Sequence, residues 1–283
     1  MALVGLEEIM PLLEERKVCL PAVDIAGGHP DFLLGALRAC EGTACPALLI
    51  VYAPMAKYVG LEACAHLVRF FAEQSRVPVV LHLDHGTREE LVEQALNLGF
   101  TSVMFDASSD PLEENIRRTR AMVELAHDRG VLLEGELGKI GAEMGGKSGG
   151  LTDPAEAERF VAETGVDLLA PAVGNAHGMY KKPPALRFGL IEELRQRAGV
   201  PLSLHGGTGI PLADVRRAGE LGMRKMNVAT QIHKSYGEAL RETPIGDTDR
   251  QYNWGGMLKA GRQAIAEKVA WYIRESGAEG LLA

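Results

Sequence analysis

No stretch of this sequence is apolar for long enough to cross a bilayer. A membrane helix needs roughly 18–20 consecutive apolar residues, and the runs here stop well short of that. Cysteine is sparse, and Cys19, Cys40, Cys45 and Cys64 show no C-x-x-C spacing, so reduced thiols are the expectation. Positive charge is thin and scattered: 30 Lys and Arg stand against 38 Asp and Glu, a net charge of -8. A chain of pI near 5.6 without a basic cluster has no footprint for nucleic acid or an anionic membrane surface. Met1 to Lys17 alternates apolar and acidic residues and lacks the cationic start and apolar core of a secretory leader, so a cytoplasmic protein is expected. Low-complexity linkers are missing as well, and residues 1–283 are expected to form a single domain.

What is present is a repeated β-then-α unit. Apolar runs at Val18–Val23, Ala47–Tyr52, Val79–Leu83, Ser102–Phe105, Val131–Glu136, Leu168–Val173, Leu202–His205 and Lys225–Val228 read as strands. Amphipathic patterns separate them: Pro30–Cys40, Lys57–Gln74, Arg88–Leu98, Leu112–Arg129, Pro154–Thr164, Gly189–Ala198, Pro211–Leu221 and Gln231–Arg241. Eight strands alternating with eight helices predict parallel pairing and closure into a (β/α)8 TIM barrel, an α/β fold, with an extra C-terminal helix at Gly256–Ser276.

Three of the strand endings carry His-Gly: His85-Gly86, His177-Gly178 and His205-Gly206. All fall on the C-terminal side of their strands, where barrel active sites lie. Packing has no use for three such endings, whereas a catalytic zinc takes three protein ligands and keeps a position open. His85, His177 and His205 are therefore expected to converge on one divalent metal, with Zn2+ favoured by an all-histidine set and Co2+ or Mn2+ as substitutes. Asp84 is read either as a partner behind the ligands or as a proton-transfer group beside a metal-bound substrate. His82, inside its strand, is expected to be a hydrogen-bonded interior residue; His29, His66, His127 and His233 are read as structural.

Two further loops suit a phosphate. Gly206-Gly207-Thr208-Gly209 runs straight into a helix, and Asn227-Val228-Ala229-Thr230 ends the eighth strand in the same way. Strands seven and eight are where barrels bind phosphate. Between strands five and six, Gly138–Gly150 holds six glycines in thirteen residues, too many for a packed element, so a mobile loop over the pocket is expected.

In order and spacing, HLDHG, GNAHGMY, HGGTGIP and KMNVAT resemble the class II, metal-dependent fructose-bisphosphate and tagatose-bisphosphate aldolases. TSVMFDAS, EENI and EGELG fit the same family. The resemblance implies a phosphorylated sugar substrate, cleaved reversibly to dihydroxyacetone phosphate (DHAP) and an aldehyde. It implies zinc on His85, His177 and His205, with Asp84 as acid/base at the aldehyde end of the reacting bond. It implies DHAP phosphate on Gly178, Gly206, Gly207, Thr208 and Asn227, Val228, Ala229 and Thr230, with a monovalent cation beside that loop. Asp106 and Glu136 match carboxylates that orient ligands or hold an alternative metal position, and Glu143 matches the loop acid that moves the DHAP proton. A homo-oligomer, dimer or tetramer, is implied too.

The departures lie at the other end of the pocket. Asp24 stands where the family has an amide, Tyr52 where it has a serine, and Trp254, four residues after Arg250, where it has the arginine that reaches a second phosphate. A ketose 1-phosphate is therefore expected to be a better substrate than fructose 1,6-bisphosphate. The alternatives are an aldolase of the same fold acting on a deoxy-keto-sugar-acid phosphate, an isomerase or epimerase using Asp84 and Glu143, and a non-catalytic aldolase-like partner subunit.

Overall fold

The computed structural model describes residues 3–138, 140–142, 150–178, 180, 184–244 and 253–283. Ten strands are found among them: β1 (Leu20–Asp24), β2 (Ala47–Tyr52), β3 (Val79–Gly86), β4 (Ser102–Phe105), β5 (Leu132–Leu137), β6 (Gly141–Ala142), β7 (Leu168–Pro171), β8 (Ala176–His177), β9 (Leu202–Leu204) and β10 (Met223–Val228). Eight of them close into a parallel barrel in the order β1-β10-β9-β7-β5-β4-β3-β2. β6 and β8 form a separate pair above it, with Ala142 opposite His177.

The helices are α1 (Leu6–Arg16), α2 (Pro30–Gly42), α3 (Ala53–Ala56), α4 (Leu61–Ala72), α5 (Glu89–Asn97), α6 (Leu112–His127), α7 (Pro154–Thr164), α8 (Phe188–Ala198), α9 (Leu212–Glu220), α10 (Thr230–Glu242) and α11 (Trp254–Ser276). Local chemistry sets their ends. At α7, Asp153 accepts from the amides of Ala155 and Glu156 (2.8 and 3.1 Å), Pro154 fills the first turn, and Gly165 closes in the left-handed region. The helix expected over Lys57–Gln74 is α4, which begins only at Leu61 because the chain turns at Gly60 (φ 97°) first. α1 covers the lower mouth of the barrel, where Glu14 binds Arg195 (2.9 Å) and Arg224 (2.8 Å). The extra helix α11 packs on α2 and α10: Arg262 binds Asp31 (2.7 Å) and Tyr272 donates to Gln231 (2.6 Å). Among the described residues no helix is long and apolar enough to cross a membrane.

The outer faces of the strands pack on the helices through an apolar layer that includes Leu33, Val68, Phe160 and Ile191. The inner face is different. His82, Asp84, Ser102, Glu134, Glu136, Ser203, His205, Lys225 and Asn227 are all buried there. Register stacks them: Tyr52 lies beside Asp84, Met104 beside Glu134, and Ala22 beside Asn227. A barrel centre filled with ionisable groups is costly unless each charge is partnered, and those partnerships define the site.

Candidate metal centre and phosphate pocket

Strict alternation along β3 would aim Asp84 and His85 at opposite faces. Here His85 adopts φ 52°, the pairing of β3 with β4 slips between Leu83 and Gly86, and the His85 amide donates to Met104 Sδ (3.4 Å). This left-handed residue brings both side chains to the rim. Asp84 reaches across the barrel, where its Oδ1 accepts from Asn227 Nδ2 (2.8 Å). His205 follows β9 directly. His177 is not at the end of a barrel strand, since β7 stops at Pro171; it sits on the separate strand β8.

Nitrogens of His85, His177 and His205 lie within 4.8 Å of one another. His85 Nδ1 is 2.9 Å from Asp106 Oδ2, and His205 Nε2 is 2.8 Å from Glu134 Oε1. Both carboxylates are ionised: burial pushes each up, but the His85 bond takes Asp106 down to about 2, and Lys225 then His205 hold Glu134 well below its ordinary value. An ionised carboxylate only accepts, so these two ring nitrogens donate. The remaining nitrogens, His85 Nε2 and His205 Nδ1, then face each other at 3.1 Å with lone pairs that only a shared proton or a cation reconciles. His177 adds a buried Nε2 with no hydrogen-bond partner. Two carboxylate-held imidazoles plus a third unsatisfied one fit a divalent metal.

The charges around the centre point the same way. His85 is raised to about 9: burial opposes its charge, but Asp84, the Asp106 bond and Glu136 outweigh burial. His177 is lowered to about 4, by burial first and then by His205 and His85. Asp84 is also favoured ionised, since His85, His205 and Lys225 overcome the effect of burial. Glu136 is raised to about 8, chiefly by burial and next by the charge of Asp106, and it accepts from Ser108 Oγ (3.2 Å). With His85 and Asp106 it forms a second group able to hold a cation.

Beneath the histidines lies a set of residues that strand patterns alone did not single out. Lys225 is fully buried, 2.9 Å from Glu134 Oε2 and 3.3 Å from Ser203 Oγ. Glu134 thus ties Lys225 to His205. The alternation Glu134-x-Glu136 on β5, two acids on the inner face of an apolar strand, was the available signal. His82 is the interior residue expected, bound to Ser102 Oγ (2.8 Å).

A cavity of about 960 Å3 opens above the centre. Gly178, Gly206, Thr208, Asn227, Ala229 and Thr230 line it; Val228 is fully buried behind them, and the Gly207 amide is engaged by Asn227 O (2.9 Å). Asp24, Tyr52, Met55 and His233 line the cavity as well, with the Asp24–His233 pair beside Ala229 and Thr230. Asp24 is buried with Oδ2 3.0 Å from His233 Nε2, so His233 belongs to the pocket rather than to the general scaffold. Tyr52 sets its ring edge-on to His85, centroids 5.8 Å apart. Trp254 starts α11 at 62% exposure and is not among the pocket-lining residues. Glu143 and Arg250 lie outside the described residues, as does most of the glycine-rich loop.

The family model for class II fructose-bisphosphate aldolase matches residues 4–281. The fructose-bisphosphate aldolase of Geobacillus stearothermophilus is 38% identical over 286 residues, 99% of this chain and 99% of that one. That of Staphylococcus aureus (strain Mu50) is 36% identical over 98% of each chain. Among solved structures, the YdjI aldolase of Escherichia coli K12 superposes with a TM-score of 0.88 at 30% identity, covering 99% of this chain and all of that one. The fructose-bisphosphate aldolase of Campylobacter jejuni, at 22% identity and TM-score 0.83, shares the fold over 98% of this chain and 96% of its own. Matched from Val4 to Leu281, the chain belongs to the class II fructose-bisphosphate aldolase family and is an aldolase, a carbon–carbon lyase.

Proposed function

We propose that this enzyme is a zinc-dependent aldolase that cleaves a ketose 1-phosphate to DHAP and an uncharged, hydroxylated aldehyde, with ketose bisphosphates as poorer substrates. The observation that carries the reading is the pair of facing imidazole nitrogens at 3.1 Å, each ring already held by a carboxylate. Zinc on His85, His177 and His205 would supply Lewis acidity toward the carbonyl and neighbouring hydroxyl of the ketose, stabilising the enediolate left by cleavage. Asp84, ionised and oriented by Asn227, takes the proton from the hydroxyl on the far carbon of the breaking bond. Glu143 returns a proton to the DHAP carbon. Gly178, Gly206, Thr208, Asn227, Ala229 and Thr230 hold the phosphate, aided by a monovalent cation, with Gly207 and Val228 backing them. Asp106 and Glu136 orient His85, and no Schiff base is involved, because Lys225 is committed to Glu134.

The substrate preference rests on the residues at Asp24, Tyr52 and Trp254. Asp24 is an acid where a second phosphate would need a cation, and Tyr52 offers a hydroxyl instead of a charge. Trp254 stands away from the pocket, and a second phosphate would depend on Arg250 or on a neighbouring subunit in a dimer or tetramer. DHAP release across a panel of ketose phosphates tests this. The expected order puts fructose 1-phosphate above fructose 1,6-bisphosphate and tagatose 1,6-bisphosphate. A kcat/KM for the bisphosphates higher by about 10²-fold, roughly 2.7 kcal/mol, would overturn the preference while leaving the aldolase reading intact. The further expectations are a single cytoplasmic domain over residues 1–283 and a homo-oligomer, which sedimentation velocity checks directly.

A further inference from the structure

His177 is the one histidine of the three that neither lies on a barrel strand nor directly follows one. His85 lies on β3 and His205 follows β9, so the barrel itself fixes both. What sets His177 against them is a small set of contacts between its own segment and the loop after β9. The Tyr180 hydroxyl accepts from the Ala176 amide (2.7 Å) and donates to Gly206 O (3.0 Å). One phenol oxygen therefore joins the residue before His177 to the residue after His205. Asn175 adds a parallel tie, donating from Nδ2 to His205 O (3.0 Å) while its Oδ1 accepts from Val173 N (2.9 Å). The two backbones are in contact here. Gly206 sits at φ 65°, and a Cβ on it would lie 1.9 Å from Ala176 O.

We infer that Tyr180 is a positioning residue: its hydroxyl sets the separation of His177 from His205, and through it the affinity of the centre for its metal. This rests on the reading of His85, His177 and His205 as metal ligands. Tyr180 is not among the pocket-lining residues, so it acts through the two loops and not on substrate. Outer partners of metal ligands typically contribute about 10–100-fold in affinity, and a hydroxyl that registers two ligands at once belongs in that range.

The test is Tyr180→Phe in the full chain. Zinc affinity is measured by chelator competition, and ligand geometry by the visible absorption of the cobalt-loaded protein. Zinc binding is expected to weaken by about 10–100-fold, with an altered cobalt spectrum and a metal-free melting temperature close to that of the parent. Tyr236→Phe removes a tyrosine hydroxyl that donates to Asp31 (3.0 Å), away from the centre, and is expected to leave zinc affinity unchanged. Parental affinity and spectrum in Tyr180→Phe would overturn the inference, as would an equal loss in Tyr236→Phe. A Tyr180→Phe chain too unstable to purify would overturn it too, by making the hydroxyl a determinant of the fold. A parent chain that takes up no zinc defeats the metal reading and this inference together; a parent that binds zinc with an unaffected variant defeats the inference alone.

Discussion

Glu134 and Glu136 lie two residues apart on one strand, face the same interior and are both buried, yet they are held in different charge states. Burial raises both. At Glu134 the Lys225 ammonium and His205 overcome it, and the carboxylate is ionised. At Glu136 no cation of that strength intervenes, the Asp106 charge adds to burial, and the group rises to about 8. Depth does not decide the outcome; the nearest counter-charge does. The lower layer, Lys225–Glu134–His205, is electrically complete. The upper layer, His85–Asp106–Glu136, sets two carboxyl groups against one imidazole and leaves Glu136 without a counter-charge of its own, which a metal would supply.

The largest effects are expected where the two layers meet. Replacing His85, His177 or His205 by Ala is expected to abolish both zinc content and cleavage, and full zinc occupancy in His177→Ala, read by elemental analysis, would sink the shared-ligand reading. Next comes Asp84→Ala, which should keep its zinc and lose about 10²–10⁴-fold in cleavage, while proton exchange on DHAP falls less. Loss of exchange with cleavage spared would reverse the roles of Asp84 and Glu143. Lys225→Met tests the completeness of the lower layer. Stranding a buried carboxylate costs about 3–5 kcal/mol, read by urea unfolding, and adding Glu134→Gln should recover part of it. Glu136→Gln, which swaps a largely protonated acid for its neutral isostere, should leave stability within about 1 kcal/mol near pH 4.5 and raise it above the parent's as pH climbs toward 8.

The smallest effect is in pH. His85 is raised to about 9, so its contribution to stability is fully present below its ordinary pKa near 6.5 and is lost as pH rises through 9. Glu136, raised to about 8, keeps a proton in the fold that the unfolded chain releases, so its penalty grows with pH from about 4.5 toward 8. Both signs agree. Metal-stripped protein should lose stability steadily from pH 6 to 9, and Glu136→Gln should make that slope shallower. A stability that rises over this range would contradict both assignments.

How far the sequence reads ahead depends on whether the informative spacing is local. β2 (Ala47–Tyr52) and β4 (Ser102–Phe105) match their expected bounds residue for residue because an apolar run between turn residues is a local signal. The convergence of His85, His177 and His205 was legible from strand endings, although His177 reaches the rim from outside the barrel. Glu134, Lys225 and His233 were not singled out. Their meaning comes from cross-barrel distances such as Lys225 to Glu134, which no window along the chain contains. The φ of His85, which lets neighbouring residues share one pocket, is likewise a product of the β3–β4 slip and not of its own residue type.

The barrel closes by pairing β1 with β10, Leu20 beside Lys225 and Val23 beside Val228. During synthesis the first strand must therefore wait, edge exposed, until nearly the whole chain has left the ribosome. Asp24 from the start of the sequence and Asn227, Thr230 and His233 from near its end become neighbours only at that last step. The pocket is thus absent from every shorter nascent chain, even one that already carries all three histidines. Such long-range closure is slow, and open strand edges invite aggregation before it. Metal supplied before closure would meet imidazoles without Lys225 or Asn227 behind them, so maturation of the centre is timed by the completion of the chain.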